Sequence, residues 1–492
     1  MTPPPPLADR HAAALDWLLG RINYERAAVV PYGERQMKLD RMRQLLTRLG
    51  SPDAGQRIVH IAGTKGKGST AAMVASILKT AGHRVGVYSS PHVERIEERF
   101  AVGGRPCAPA ELVALVDHVR PVVEAMDAEH ASQAGPDGVR RYDEARGNGE
   151  AWGNDVGGPT FFDITTAMAL VLFADRGADT TVLEVGLGGR LDSTNVCHPA
   201  VAAITSIGLD HTKQLGDTLE AIAAEKAGII KPGVPVVSGE TVAGPRGVIA
   251  DVAREHGCRL IQRGVDFDTH PAPPGASVAA GGGGKRYRYT SAIGEPIGPF
   301  EIGLDGAHQV ANAATALAII EELNRQGWQA SPEACCSGLA EAWLPARVEW
   351  FPGRPPVVID AAHNPASAEA LAAAIAARPA PGGRTLVLAL SRDKDGRGIV
   401  EALLPGFDRV IATRYTKNPR SVRPDEAAAI VQTAAAASGR SIVIETAASP
   451  EAALQLARER TPEDGAIVAT GSFFLAAELR PLIAKAVASH AT

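Results

Sequence analysis

The residues from Ile58 to Met73 read IVHIAGTKGKGSTAAM, a short apolar run followed by glycines, lysines and hydroxyls. Glycines between a strand and a helix let backbone amides turn inward onto an anion, and the helix N-terminus adds positive potential. The spacing is not that of the common phosphate loop, which places four residues between its first glycine and Gly-Lys-Ser/Thr. Here Gly63 and Gly66 are separated by only two residues, and Gly68 stands where a metal-binding hydroxyl would follow the lysine. Lys65 and Lys67 compete to neutralise the phosphates. Lys67 is the better placed because it abuts the helix start, and Ser69 and Thr70 follow it. A bare glycine pattern here is usually just a turn. Strand, lysine, hydroxyl pair and helix together favour nucleotide binding.

Three further stretches carry candidate chemistry. YSSPHVERIEERF (Tyr88 to Phe100) puts Ser90 at the end of a strand, where a hydroxyl could complete magnesium coordination; a capped turn before Pro91 is an equal reading. LEVGLGGRLDSTN (Leu183 to Asn195) puts Glu184 at the end of an apolar strand, the placement of a magnesium carboxylate beside a phosphate loop. Arg190 and Asp192 follow, open either to a substrate or to a structural pair with each other. Asp210 and His211 follow another apolar strand, and Lys226 lies fifteen residues beyond His211 on a helix. Spacing alone cannot make these last residues partners.

The elements that must position them alternate short apolar runs with helical ones, the signature of a mainly parallel α/β fold. Arg57–Ala62, HRVGVYSS, DTTVLEVG and AVAAITSIG read as strands. The segment from the loop to about Ala81, Glu111–Met126, Phe161–Ala174 and Leu219–Ile230 read as helices. After Trp343 to Arg347 the alternation restarts with PPVVID, RTLVLAL, RVIATR, SIVIET and GAIVAT, separated by helical Ser367–Ala377, Pro424–Ala437, Glu451–Arg460 and Phe473–Ala486. The expected division is therefore 1–342 and 343–492. Ala128–Pro159 and Asp268–Lys285 read as surface insertions, and MTPPPPLADRH as a frayed tail. The chain has 492 residues, 45% hydrophobic and 21% charged, with formal net charge −5, which is globular composition and gives no support for a nucleic-acid surface. Five cysteines without metal-knuckle spacing suit a reducing compartment. No signal peptide or membrane span is read, so a cytoplasmic protein is expected.

These motifs, in this order, resemble the Mur ligase superfamily, and within it the folylpolyglutamate and dihydrofolate synthases. GTKGKGS, Ser90-Pro91-His92, EVGLGGRLD (Glu184 to Asp192), Asp210-His211-Thr212 and EKAG (Glu225 to Gly228) carry the resemblance. HQVANAATAL, LPARVEW, IDAAHNPAS, RDKD and ATGSFFLAAELR continue it. It departs at Lys65, where asparagine is usual, at Ala346 and Ala361, where glycine is usual, and at Asp163, where glutamate is usual. Asp163 leaves open what its side chain touches, substrate included.

The resemblance implies a P-loop-type, mainly parallel ATPase domain followed by a smaller Rossmann-like α/β domain. It implies ATP-dependent amide formation, in which L-glutamate joins a folate or dihydropteroate through an acyl phosphate. Residues carried over by position are Gly63, Gly66, Lys67, Gly68, Ser69 and Thr70 on the ATP phosphates, with Asn312, Arg347 and Asp360 also on the nucleotide. Ser90, Glu184, His211 and a carbamylated Lys226 would hold two magnesium ions, with a monovalent cation such as K+ admitted as well. Lys67, Lys226, His211 and Arg347 would serve the chemistry. Arg190, Asp192, His363 and Asp393 would touch substrate. The implied partners are small molecules, with no nucleic acid and no membrane, and a monomer is expected. The rivals are a cell-wall amide ligase, a P-loop kinase or ATPase switch, and a non-enzymatic nucleotide-binding scaffold. The first usually carries an extra N-terminal domain, whereas about 56 residues precede the phosphate-loop strand here.

Overall fold

The structure, a computed structural model, describes residues 5–23, 39–133, 157–273 and 285–490. The chain forms two compact units. The first comprises Met1–His92, Ile96–Ile302 and Ala311–Ala342, and the second Val93–Arg95, Gly303–Val310 and Trp343–Thr492.

The first unit is built on an eight-stranded sheet. Its strands are β1 (Ile58–Ala62), β2 (Val85–Tyr88), β3 (Phe100–Val102), β4 (Arg105–Pro106), β5 (Thr180–Glu184), β6 (Val201–Ile204), β7 (Val236–Ser238) and β8 (Leu260–Gln262). Their order is β4-β3-β2-β5-β1-β6-β7-β8. The run from β2 to β8 is parallel, and β3 and β4 add antiparallel pairs at one edge. β1 and β5 are buried at every position, as strands covered on both faces must be. From β1 the chain crosses over to β2 on one side, whereas β6 lies on the other, so the carboxyl ends around β1 form the crevice where such sheets bind ligands.

The Phe161–Asp175 helix starts with a capping box, Thr160 and Asp163 satisfying each other's backbone, and it is apolar nearly all round because it is buried. Asp163 does more than cap. One oxygen accepts from Arg41 Nε at 2.8 Å and the other from Ser193 Oγ at 2.7 Å. The contact that the glutamate-to-aspartate departure left open is thus an internal one. Arg41 comes from the Leu39–Arg48 helix and is itself buried, so this ion pair ties three elements together away from water.

Three sequence expectations need correction. The tail reading fails from Leu7 onward, where a Leu7–Leu19 helix buries Ala14 and Leu18; residues 1–4 lie outside the described residues. Ala128–Pro159 does not begin as a loop, since the Pro109–Gln133 helix runs six residues into it, while 134–156 lie outside the described residues. Asp268–Lys285 begins inside β9 (Phe267–Pro271), which joins β10 (Tyr287–Ser291) and β11 (Ile297–Phe300) in an antiparallel sheet ordered β11-β10-β9. Pro271 is tolerated there because β9 is an edge strand. Residues 274–284 lie outside the described ones. In each case the short apolar signal was masked by neighbouring prolines, glycines or charges.

The second unit contains all five expected strands, as β13 (Val357–Ile359), β14 (Arg384–Leu388), β15 (Arg409–Ala412), β16 (Val443–Thr446) and β17 (Ala466–Thr470). β12 (Glu349–Phe351) adds an antiparallel edge, giving the order β12-β13-β17-β14-β15-β16. The Gly396–Leu403 helix was not read from the sequence. Pro424–Ala437 is helical as expected, with proline at its start and Asp425 and Glu426 in the first turn. Val93 belongs to this unit because it packs among Ile359, Ile411 and Leu475, and Glu94 because it pairs with Arg480. Arg480 also holds Glu349 in a two-pronged contact at 2.8 Å each.

Replacing Arg41 by alanine should leave the Asp163 carboxylate buried without its cation and cost about 3–5 kcal/mol. Denaturant unfolding would read this as an earlier transition, and an unchanged midpoint would show that the pair is dispensable.

Candidate functional site

The phosphate-type loop leaves β1 at Gly63. A Cβ there would come 1.9 Å from Thr205 Oγ1, and one on Gly66 would come 2.3 Å from Asn312 Oδ1. Gly66 is also left-handed, with φ 83°. Both glycines are therefore demanded by close approach, and Gly66 by its backbone as well. The loop is buttressed by the segment that follows β6. Thr205 Oγ1 donates to the Lys65 carbonyl at 2.6 Å, Thr64 N donates to the Ser206 carbonyl at 2.7 Å, and Gly208 N donates to Thr64 Oγ1 at 3.0 Å. Lys67 Nζ folds back to donate to the Gly63 carbonyl at 3.0 Å. The Lys67–Thr80 helix has no side-chain cap and no acid in its first turn, which leaves its N-terminal potential available to an anion. Ser69 and Thr70 are buried in that turn, and Thr70 Oγ1 has no hydrogen-bond partner among the described residues.

Neighbouring strand ends deliver the other residues. Glu184 closes β5 in register with Ile61 of β1 and is only 6% exposed. Ser90 follows β2, whose Tyr88 is in register with Leu183. Asp210 and His211 follow β6 after a short loop. His211 adopts φ 51° at the start of the Thr212–Leu215 turn, and its Nε2 lies 4.0 Å from Asp210 Oδ1.

The glycine-rich loop after Glu184 packs directly on the Leu219–Ala227 helix. A Cβ on Gly189 would come 2.9 Å from the Glu225 carbonyl and 3.1 Å from Lys226 Cα, and one on Gly228 would come 2.4 Å from Arg190 Cβ. This contact joins two motifs that their spacing could not connect. Arg190 does not pair with Asp192: its guanidinium donates to Glu225 Oε1 at 3.0 and 3.1 Å. Asp192 is buried and accepts from the Gly186, Leu187 and Thr194 amides and from the Thr194 hydroxyl. Burial raises its pKa, and these four donors oppose the rise.

Lys226 is 4% exposed, and burial first, then the charge of Lys67, lowers its pKa to about 7. Asp210, Asp192 and Glu225 oppose that shift. An amine with a pKa near neutrality is far from an ordinary solvated helix lysine. Among the described residues, no group of three His, Cys, Asp or Glu side chains gathers closely enough to hold a metal ion.

In the second unit, Asp360 Oδ2 accepts from the Val348 amide at 2.9 Å and Oδ1 from the Ala362 amide at 2.7 Å. Ala346 and Val348 have φ 53° and 49°, so Arg347 sits between two left-handed residues. For valine that conformation is strained, and the Asp360 contact restrains it. Burial raises the Asp360 pKa, against the pull of Arg347 and both amides. His363 Nδ1 donates to the Ala361 carbonyl at 2.9 Å, and Asp393 accepts from Arg420 at 3.3 Å. Asp360 and His363 follow β13 and Asp393 follows β14, with β17 between them. The sequence reading missed Arg41, Thr205 and Ser206. Thr205-Ser206, a hydroxyl pair ending an apolar strand, has the same signal that singled out Ser90.

Residues 157–320 match the Mur ligase middle domain, and residues 346–473 match the Mur ligase glutamate ligase domain. A dihydrofolate synthase/folylpolyglutamate synthase of Bacillus subtilis is 36% identical over 395 residues, covering 79% of this chain and 82% of its own. The structure of Escherichia coli FolC in complex with DHPP and ADP superimposes with a TM-score of 0.77 at 29% identity, covering 98% of this chain and 99% of that one. The bifunctional folylpolyglutamate synthase/dihydrofolate synthase of Yersinia pestis, complexed with AMPPNP and a Mn ion, gives 0.74 at 28% identity, covering 98% and 100%. The glycine-built loop, the strand-end carboxylate and these likenesses agree: the chain belongs to the folylpolyglutamate/dihydrofolate synthase family of the Mur ligase superfamily.

Proposed function

We propose that this chain is an ATP-dependent ligase that adds L-glutamate to tetrahydrofolate and to dihydropteroate through an acyl phosphate. The observation that carries the reading is the buried Lys226, electrostatically coupled to Lys67 of the phosphate loop and packed under the loop that follows Glu184. The Bacillus subtilis relative is named for both activities, and the Escherichia coli and Yersinia pestis structures hold adenine nucleotides, the latter with a divalent metal. These names concern folate, which favours this reading over a cell-wall ligase.

The substrate carboxylate attacks the γ-phosphorus of ATP and ADP leaves. The amine of glutamate then attacks the acyl carbon and phosphate leaves. Such chemistry needs charge neutralised more than it needs a strong base. Lys67 and the uncapped helix N-terminus cradle the phosphates with Gly63, Gly66, Gly68, Ser69 and Thr70. Asn312, beside Gly66, borders the nucleotide, and Arg347 and Asp360 are taken as further nucleotide contacts. His363, Asp393 and Arg190 serve the substrate; Asp192 acts through the loop it caps.

Ser90, Glu184, His211 and Lys226 as its carbamate hold two magnesium ions, with K+ admitted, and these cations supply further neutralisation when bound. The residues fit because two hard oxygen donors are already at adjacent strand ends and Lys226 is an amine that reacts with CO2 in its neutral form. A carbamate there replaces a repelling cation with an oxygen ligand.

Lys67→Ala and Glu184→Ala should each abolish glutamate-dependent ATP turnover, and retained ligation by either purified variant removes that residue from the assignment. Assays with dihydropteroate and with tetrahydrofolate, run in parallel, decide between one substrate and both. Lys226→Ala should be inactive and recover with short-chain carboxylates. Because the amine sheds its proton as pH rises through about 7, carbamate should accumulate above that pH and be lost below it. Intact mass under bicarbonate, showing no added CO2 at pH 8, would eliminate the carbamate.

A further inference from the structure

Beneath the phosphate loop lies a set of buried polar side chains that the ligation chemistry does not use. His60, in the middle of β1, is wholly buried, as is Thr194. His60 Nε2 is 2.8 Å from Thr194 Oγ1, and its Nδ1 is 3.5 Å from Cys197 Sγ. Thr194 Oγ1 is 2.5 Å from Asp192 Oδ1. Asp192 Oδ2 then accepts from the amides of Gly186 at 3.0 Å and Leu187 at 3.1 Å, two and three residues beyond Glu184.

The direction of every proton follows. Backbone amides can only donate, so Asp192 is an acceptor. The single proton of the Thr194 hydroxyl goes to Asp192, so its oxygen accepts from His60 Nε2–H. That tautomer leaves Nδ1 to accept from the Cys197 thiol. Burial and the charge of Lys231 hold the His60 pKa at about 3, and burial pushes the Cys197 thiol up to about 12. Neither group titrates near neutral pH, so the chain has one hydrogen-bonding arrangement.

We propose that Thr194 and His60 are positioning residues: acting through Asp192, they hold the backbone that follows Glu184 and so aim that carboxylate at the divalent cation. The link is physical rather than sequential. His60 is on the strand that launches the phosphate loop, and Asp192 ties that strand to the loop after β5. Removing the Thr194 hydroxyl deprives Asp192 of its side-chain donor and His60 of its acceptor. The amides after Glu184 are then held by a carboxylate whose other oxygen keeps only the Thr194 amide at 3.0 Å and has lost its tie to β1. The inference rests on Glu184 as a cation ligand, as proposed above.

The test is Mn2+ titration of the whole protein with AMPPNP, read by electron paramagnetic resonance of the free ion, which needs no ligation activity. Thr194→Val keeps the shape and removes both hydrogen bonds, and Mn2+ affinity should fall about tenfold. Thr194→Ser, which restores the hydroxyl, should bring it back to within about twofold of the unaltered protein. Should Thr194→Val fail to fold, His60→Gln and His60→Leu replace it. The glutamine amide reproduces the Nε2 donor and should retain affinity, and leucine should lose it. A Thr194→Val protein that melts earlier but binds Mn2+ as tightly as the unaltered protein has a merely structural threonine, and the proposal is overturned. Glu184→Gln separates the underlying reading: undiminished Mn2+ binding by that variant removes the ligand itself.

Discussion

Everything in the first unit depends on the parallel ladder in which β1 lies between β5 and β6. Parallel pairing gives all three strands one polarity, so their carboxyl ends open on one edge of the sheet. The register then converts sequence distance into proximity. Ile61 is opposite Glu184, and the phosphate loop begins two residues after Ile61. Thr205, at the end of β6, clamps that loop from the other side. Elements more than a hundred residues apart thus build one surface without a long side chain having to reach.

Close backbone approach is the second constraint. Gly189 and Gly228 have no room for a Cβ because the loop after β5 rests on the helix that carries Lys226. That packing also keeps water from the amine, and the loss of solvation is the main cause of its low pKa. The same glycines that shape the loop therefore set the protonation of a residue thirty-seven positions beyond Gly189. In the second unit a comparable constraint falls on the backbone around Arg347, where Asp360 anchors one of the two flanking left-handed residues through the Val348 amide.

The buried polar groups illustrate why such sites are costly and specific. Asp163, Asp192 and Asp360 are all carboxylates out of water, and each is surrounded by several donors. An unsatisfied group of this kind costs more than a satisfied one returns, so a network of this sort enforces a single geometry. In the sequence Asp360 was legible only as a nucleotide contact by resemblance, and Asp192 as either a substrate contact or a partner of Arg190. In the structure their hydrogen bonds run to the chain's own backbone and side chains.

The sequence by itself determined the alternation of strands and helices, the phosphate-type loop, and the family, because periodicity and motif order are local and survive without coordinates. The boundaries of Pro424–Ala437 could be read directly, since proline and two acids mark its start. Three things required the tertiary structure. The Leu7–Leu19 helix escaped because the prolines before it and the polar Asp9, Arg10 and His11 near its start hid its pattern. Val93–Arg95 joins the second unit through contacts with residues hundreds of positions away. Lys226 was marked only by resemblance until the glycine-rich loop was packed over it. Burial, pKa and hydrogen-bond partner are properties of a neighbourhood, and neighbourhoods are assigned by folding, not by order along the chain.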